Sequence, residues 1–175
     1  MQAQALSKPS TLSRARRAWA TLGGAVLIAL AAPLAHAQGV TTYGAPIDLE
    51  TAKKMAAAAE AEARKNNFTM AIAITDIGGD LVYFEKMDGT QTGSVNVAQG
   101  KARSAVMFKR PTKVFQEIVA AGGDGLRILG LEGAVPVEGG IPIVVGGKIV
   151  GAIGTSGGSS AQDGQVAQAG LAALK

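Results

Sequence analysis

Two apolar hairpins constrain the fold of this chain more than any other feature of its sequence. Their four strand-like runs are TMAIAITD (69–76), LVYFEKM (81–87), IPIVV (141–145) and KIVGAIGT (148–155). A glycine pair interrupts each hairpin, Gly78-Gly79 in the first and Gly146-Gly147 in the second. Two-residue hairpin turns require positive φ at both central positions, which glycine adopts readily, so both units are predicted to be antiparallel.

Helices are predicted before, between and after these hairpins. Asp48 is a good N-cap for an Ala-, Glu- and Lys-rich helix that ends at Asn66-Asn67. The segment 94–110 has small apolar residues at helical spacing and is stopped by Pro111, and a second helix is predicted at 112–121. The order helix, hairpin, helices, hairpin, helix predicts an α+β domain. We expect an α/β sandwich in which helices pack on an antiparallel sheet of about five strands.

The first 37 residues are typical of an export signal rather than of a folded domain. Four cations and no acidic residue precede the apolar run LGGAVLIALAAPLA, which ends at Ala35-His36-Ala37. A basic start, a short apolar centre and small residues before the cleavage point are the marks of a cleavable signal peptide. We therefore predict cleavage after Ala37, a linker at 38–47 and a domain at 48–175. The protein would be periplasmic or secreted, without membrane attachment after cleavage, and the choice between Sec and twin-arginine export stays open.

Removing this segment changes what the composition implies. The formal net charge of +4 comes entirely from cations within it, so the remaining chain has no excess of basic residues for nucleic acid. The only histidine, His36, and the only tryptophan, Trp19, are removed as well, and the chain has no cysteine. These absences exclude Ser-His-Asp and Cys-His nucleophiles, zinc sites of Cys and His, and disulfides from the mature protein.

The glycine-rich stretch GAIGTSGGSSAQD (151–163) leads from the last predicted strand into the last predicted helix. A helix start presents unpaired N–H groups and a partial positive charge, which suit a phosphate or a carboxylate. Ser160 and Asp163 have the spacing of a capping box that would satisfy these donors, and Asp163 would repel an anion. The chemistry of the loop alone therefore favours a structural turn over a ligand-binding loop.

A rigid turn and two cations are further candidates for ligand contacts. In PVEGGIP (136–142) two prolines bracket Glu138, whose carboxylate is interpreted either as a ligand-orienting group or general base, or as a solvated turn residue. Lys101 and Arg103 lie two residues apart on a predicted helix, so they do not share a face. One of them pointing into a cleft would suit a carboxylate, the natural partner of an arginine fork.

No metal site is predicted from the residues themselves. The carboxylates that flank the first hairpin are Asp76, Asp80, Glu85 and Asp88. They lack the spacing of a calcium loop, and we interpret them as turn residues and surface charge. The soft or aromatic side chains that remain for an iron atom are Tyr43, Tyr83, Met55, Met70, Met87 and Met107. Methionines at these spacings are more often core residues than ligands.

Four stretches together resemble the GlcG/HbpS-like haem-binding family, also called haem-degrading domains. They cover nearly all of residues 49–175 in order: AIAITDIGGDLVYFEKMDG, AQGKARSAVMFKRPTKVF, GAVPVEGGIPIVVGGKIVGAIGTSGG and QDGQVAQAG. The resemblance implies a profilin-like layered module that usually forms homo-oligomers and, in some members, binds haem. It places recurring residues at positions expected to line a shared ligand pocket, which are Lys101, Arg103, Glu138, Gly139, Gly140, Thr155, Ser156, Gly157, Gly158 and Asp163.

Three hypotheses of function follow. The first is an exported homo-oligomer that binds haem or a related tetrapyrrole without catalysing a reaction, with Lys101 or Arg103 paired to the propionates. A proximal histidine is excluded for such a haem, and no axial ligand is assigned. The second is an enzyme or accessory subunit that acts on a small hydroxy- or keto-acid, with Glu138 as base and Arg103 as carboxylate clamp. The third is a structural or sensory oligomer without a ligand.

Overall fold

The computed structural model describes residues 41–174, so the predicted signal peptide lies outside the described residues. Helices and strands follow the predicted order, and their bounds are α1 (Leu49–Lys65), β1 (Ala71–Thr75), β2 (Leu81–Lys86), α2 (Ser94–Met107), α3 (Thr112–Ala120), β3 (Gly140–Val145), β4 (Lys148–Ser156) and α4 (Ser160–Ala172). A 3₁₀ segment, Gly123–Gly130, separates α3 from β3. The predicted α+β class is confirmed.

The strands form one antiparallel sheet in the order β2-β1-β4-β3. β1 pairs with β2, and β3 pairs with β4, as the two predicted hairpins require. The pairing of β1 with β4 joins the hairpins into one sheet. The part of the chain that the structure describes supplies four strands to this sheet rather than about five, because the glycine-rich residues before β3 form the 3₁₀ segment instead.

The two glycine pairs adopt different turn geometries. Gly146 and Gly147 have φ of +55° and +76°, as expected for a two-residue turn. The predicted two-residue turn was wrong for the first hairpin, because residues 76–80 separate β1 from β2 and only Gly79 of the pair has positive φ, at +81°. There the Asp76 carboxylate holds the turn, because its Oδ1 accepts hydrogen bonds from the N–H groups of Gly78 and Asp80, at 2.8 and 2.9 Å.

Helices cover both faces of the sheet. α1 and α4 pack on the face that carries the isoleucines of β1 and β4, including Ile72, Ile74 and Ile153. α2 packs on the opposite face through alanines, and it approaches β4 so closely that a Cβ at Gly154 would overlap the Ala98 carbonyl oxygen. The result is a three-layer sandwich whose outer layers are α1 with α4 on one side and α2 on the other.

The first described residues pack on the sheet as well. Gly44 N–H donates to the Ile149 carbonyl and Ile149 N–H donates to the Thr42 carbonyl, at 2.8 and 2.9 Å. The Tyr43 hydroxyl donates to the Val106 carbonyl at 2.9 Å. The end of the predicted linker is therefore part of the folded unit. No helix within residues 41–174 is long and apolar enough to cross a bilayer.

Candidate functional site

A buried ion pair connects the two outer layers of the sandwich. Lys101 of α2 has no exposed surface, although lysine is almost never fully buried unless it is paired. Its Nζ donates to Asp163 Oδ2 of α4 at 2.6 Å and to the Thr155 carbonyl of β4 at 3.1 Å. Because α2 and α4 lie on opposite faces of the sheet, this side chain joins both layers at the end of β4.

The loop between β4 and α4 is organised around the second oxygen of the same carboxylate. Asp163 Oδ1 accepts hydrogen bonds from the N–H groups of Gly157 and Gly158, each at 3.0 Å. The anion that this glycine-rich loop holds is therefore a side chain of the protein itself, and Asp163 is 3% exposed. Ser156, the residue before the glycines, donates its hydroxyl to Ser94 Oγ at 3.1 Å.

The predicted capping box at the start of α4 was wrong by one residue. Ser159 is the N-cap, and Gln162 completes the box by accepting from the Ser159 N–H at 2.8 Å. Because Gln162 takes this role, the carboxylate of Asp163 is available for Lys101. Asp163 lies in the first turn of α4, where it pairs with Lys101 and does not cap the helix.

Gly139 and Gly140 leave the space that this ion pair occupies. Gly139 has φ of +127°, and a Cβ there would lie 2.7 Å from the Thr155 carbonyl oxygen and 3.0 Å from Lys101 Nζ. A Cβ at Gly140 would overlap the carbonyl oxygen of Lys101. Gly139 is therefore required beside the ion pair, and Gly140 is required because the backbone of α2 lies directly against it.

Glu138 lies next to the buried ion pair, in contact with α3 and α4. Its carboxylate pairs with Lys113 of α3 at 3.1 Å, and its N–H donates to Gln116 Oε1 at 2.9 Å. A Cβ at Gly164 would lie 2.5 Å from Glu138 Oε1, so the carboxylate lies directly against α4. These contacts fix Glu138 between α3 and α4.

Arg103 lies apart from this network and lines a concave pocket of about 300 Å³. Consecutive helical residues are about 100° apart, so Arg103 leaves α2 in a different direction from Lys101. The other lining residues are Thr75, Gly79, Asp80, Leu81, Asn96, Gln99 and Gly100. The aliphatic part of Arg103 packs on Gly79, where a Cβ would lie 2.9 Å from its Cγ.

The structure therefore brings together all the predicted site residues except Arg103. Their contacts are with other parts of the protein. Lys101 has its ammonium enclosed, so the expectation that it meets a propionate does not agree with its burial. Arg103 is exposed and is the predicted cation that a ligand can reach. Glu138 does not line the pocket of Arg103, so the base and clamp of the second hypothesis are not assembled in one site.

Candidate iron ligands are largely engaged elsewhere. The Tyr83 hydroxyl donates to Glu85 Oε2 at 3.1 Å, and Tyr43 is held by the Val106 carbonyl. Among the methionines of residues 41–174, only Met107 is exposed. The pocket lining includes no His, Cys, Tyr or Met, and no cluster of three or more His, Cys, Asp or Glu side chains converges within the described residues.

Glu85 is a partly buried carboxyl that the sequence analysis treated as surface charge. Desolvation raises the pKa of Glu85, and the hydrogen bond from Tyr83 only partly opposes this effect. Its Oε1 atom is buried without a hydrogen-bond partner among the described residues. The sequence did contain a signal for this burial. Side chains alternate between the two faces of β2, and Glu85 pairs with Ile72 of the buried central strand β1.

The fold and this site define a class: a small α+β sandwich whose outer layers are joined by a buried Lys–Asp pair. A family model described as haem degrading protein HbpS-like matches residues 47–172, so the chain belongs to the HbpS-like family. Protein GlcG of Escherichia coli strain K12 is 40% identical over 107 residues, which are 61% of this chain and 78% of GlcG.

Solved structures agree with this assignment. A double mutant of Streptomyces reticuli HbpS has 32% identity and a TM-score of 0.69, covering 83% of this chain and 98% of that one. A complex of PduOC with haem has 26% identity and a TM-score of 0.66, covering 73% and 94%. The expected resemblance to the GlcG/HbpS-like family is confirmed.

Replacing Asp163 with Ala should destabilise the protein severely. The change leaves the Lys101 ammonium buried without its counter-charge, and burial already lowers the pKa of Lys101. We expect the free energy of unfolding, measured by urea denaturation, to fall by about 3–5 kcal/mol. The control is Lys113→Ala, which breaks an ion pair whose lysine is 52% exposed, and it should cost less than about 1 kcal/mol. Equal losses in the two variants would contradict the role of the buried pair.

Glu85→Gln should change how stability depends on pH. A carboxyl whose folded pKa is raised binds more protons in the folded state than in the unfolded one, so its ionisation destabilises the fold as pH rises above the ordinary value of 4.5. The variant should unfold at a higher urea concentration than the parent at pH 7 and at a similar one at pH 4. A difference between variant and parent that is the same at both pH values would refute this account.

Proposed function

We propose that this protein binds haem or a related tetrapyrrole, and that Arg103 is the cation that contacts a propionate. The observation that carries the proposal is an exposed guanidinium, without an ion pair among the described residues, that lines a pocket in an HbpS-like chain. The structure of PduOC in complex with haem supports the ligand class, because that protein shares the fold at 26% identity.

The lining residues fit one part of such a ligand. Arg103 suits a carboxylate, since its planar fork of N–H donors matches two carboxylate oxygens. Leu81, which is 48% exposed at the pocket, offers apolar surface to the edge of a flat ring. A cavity of about 300 Å³ is at the small end of ligand pockets, so most of a tetrapyrrole would extend beyond it. The pocket supplies no usual iron ligand, and we derive no step through the iron.

The small volume and polar lining of the pocket favour a second candidate ligand, a small carboxylic acid held by Arg103. Asn96 and Gln99 would hydrogen-bond to its remaining polar atoms. Glu138, the base of the second hypothesis, lies outside the pocket, so for this candidate we propose only that the protein binds the acid.

We also propose that the protein is exported and acts as a homo-oligomer. The basic and apolar pattern before Ala37 supports export. Exposed leucines in and next to the 3₁₀ segment, Leu126, Leu129 and Leu131, support association with a second copy, since the segment itself buries no residue.

Haemin titration tests the leading proposal. Mature protein, residues 38–175, should give a saturable Soret shift near one equivalent per chain. Arg103→Gln should weaken the affinity about tenfold through loss of a charge-assisted contact. Arg127→Gln, which removes an exposed cation of the 3₁₀ segment, should bind like the parent. A Soret change no larger than that of an unrelated control protein would refute haem binding, and equal affinity of the two variants would refute the role of Arg103.

Export is tested by the mass of the protein recovered from the periplasm or medium. The mature chain should begin at Gln38. Ala37→Phe should leave the precursor uncleaved, because the residue before the cleavage point must be small. Recovery of the parent protein with its first 37 residues attached would contradict the predicted signal.

A further inference from the structure

Two opposite charges line the pocket of Arg103 without pairing to each other. Arg103 comes from α2 and Asp80 from the turn between β1 and β2. Within residues 41–174 neither side chain makes an ion pair. A cation and an anion are therefore both available to one occupant of the pocket.

The pocket also contains a buried hydroxyl that the protein leaves without a partner. Thr75 is 2% exposed and lines the pocket, and its Oγ1 has no hydrogen-bond partner in the described part of the chain. The residue lies where the register between β1 and β2 shifts. Buried polar groups of folded proteins nearly always have partners, so this hydroxyl is a group that an occupant of the pocket could satisfy.

Two side-chain amides complete the polar lining. Asn96, Gln99 and Arg103 have the spacing of one helical face, which α2 presents to the turn. Gln99 Nε2 donates to the Val95 carbonyl at 3.2 Å, and its Oε1 accepts no hydrogen bond within residues 41–174. The pocket therefore offers donors and acceptors in addition to its two charges.

The carboxylate of Asp80 is not required for the local fold. The turn is held by Asp76, which accepts from the N–H groups of Gly78 and Asp80, and by the positive φ of Gly79. Asp80 contributes its backbone to this turn, while its side chain makes no hydrogen bond among the described residues. A substitution that removes only its charge should leave the turn intact.

We propose that this pocket binds a small α-amino acid as a zwitterion, with its carboxylate on Arg103 and its ammonium on Asp80. This inference rests on the proposed function above, because both require that Arg103 binds a ligand carboxylate. A ligand with only a carboxylate, such as a hydroxy-acid, would leave Asp80 unpaired and would therefore bind more weakly than a zwitterion of the same size. A zwitterion satisfies both charges within a cavity of about 300 Å³, and Thr75 and the amides would contact its remaining atoms.

Isothermal titration of the mature chain with the common L-amino acids tests this inference. The 2-hydroxy acid that corresponds to the tightest amino acid is titrated in parallel, because the two differ at the ammonium. We expect at least one amino acid to bind saturably, with one molecule per chain. The affinity for its hydroxy analogue should be at least about tenfold weaker.

Charge-removing variants then assign the two contacts. Asp80→Asn should weaken the affinity for the amino acid about tenfold and leave the affinity for the hydroxy acid unchanged or tighter. Arg103→Gln should weaken the affinity for both ligands. The matched controls are Asp124→Asn and Arg127→Gln, exposed charges of the 3₁₀ segment, which should bind like the parent.

Absence of amino-acid binding, or equal effects of Asp80→Asn and Asp124→Asn, would overturn the inference. Haemin titration of the same preparations separates it from the haem proposal. A haemin response without amino-acid binding overturns the amino-acid site alone. Amino-acid binding without a haemin response overturns haem binding alone.

Discussion

The ion pair between Lys101 and Asp163 is the interaction on which the rest of this structure depends. It crosses the end of the sheet, joins α2 to α4, and uses the second carboxylate oxygen to hold the glycine-rich loop after β4. Such a pair is stable in a dry interior only when its remaining hydrogen-bonding capacity is satisfied. The Thr155 carbonyl and two backbone N–H groups provide those partners, and Gly139 leaves the space in which they meet.

The two cations of α2 have different surroundings. Lys101 is enclosed by the protein, whereas Arg103, two residues later, reaches the turn between β1 and β2. That turn is built by Asp76 and Gly79, and within residues 41–174 neither Asp80 nor Arg103 makes an ion pair. The residues that organise the fold and those that face an open pocket are thus adjacent in sequence but separated in space.

This arrangement changes the interpretation of the motifs on which the predicted resemblance to the HbpS-like family was based. Glu138, the following glycines and the loop at 155–158 surround the buried pair, and they fix how the layers pack. A pattern of this kind specifies a fold at least as strongly as a ligand. The site that we propose for a ligand is instead the exposed face of α2 opposite the first hairpin, where haem carboxylates or an amino acid would meet Arg103.

The sequence by itself determined the order of elements, both hairpins and the N-cap of α1, because periodicity, glycine pairs and capping residues act over a few neighbours. Only the tertiary structure decided the role of Asp163, whose partner Lys101 is 62 residues away. The α4 cap is a local Ser159–Gln162 capping box that the sequence already contains. The burial of a lysine, by contrast, came from packing, since local rules favour a solvated cation. The pocket likewise exists only because the sheet brings the β1–β2 turn against α2.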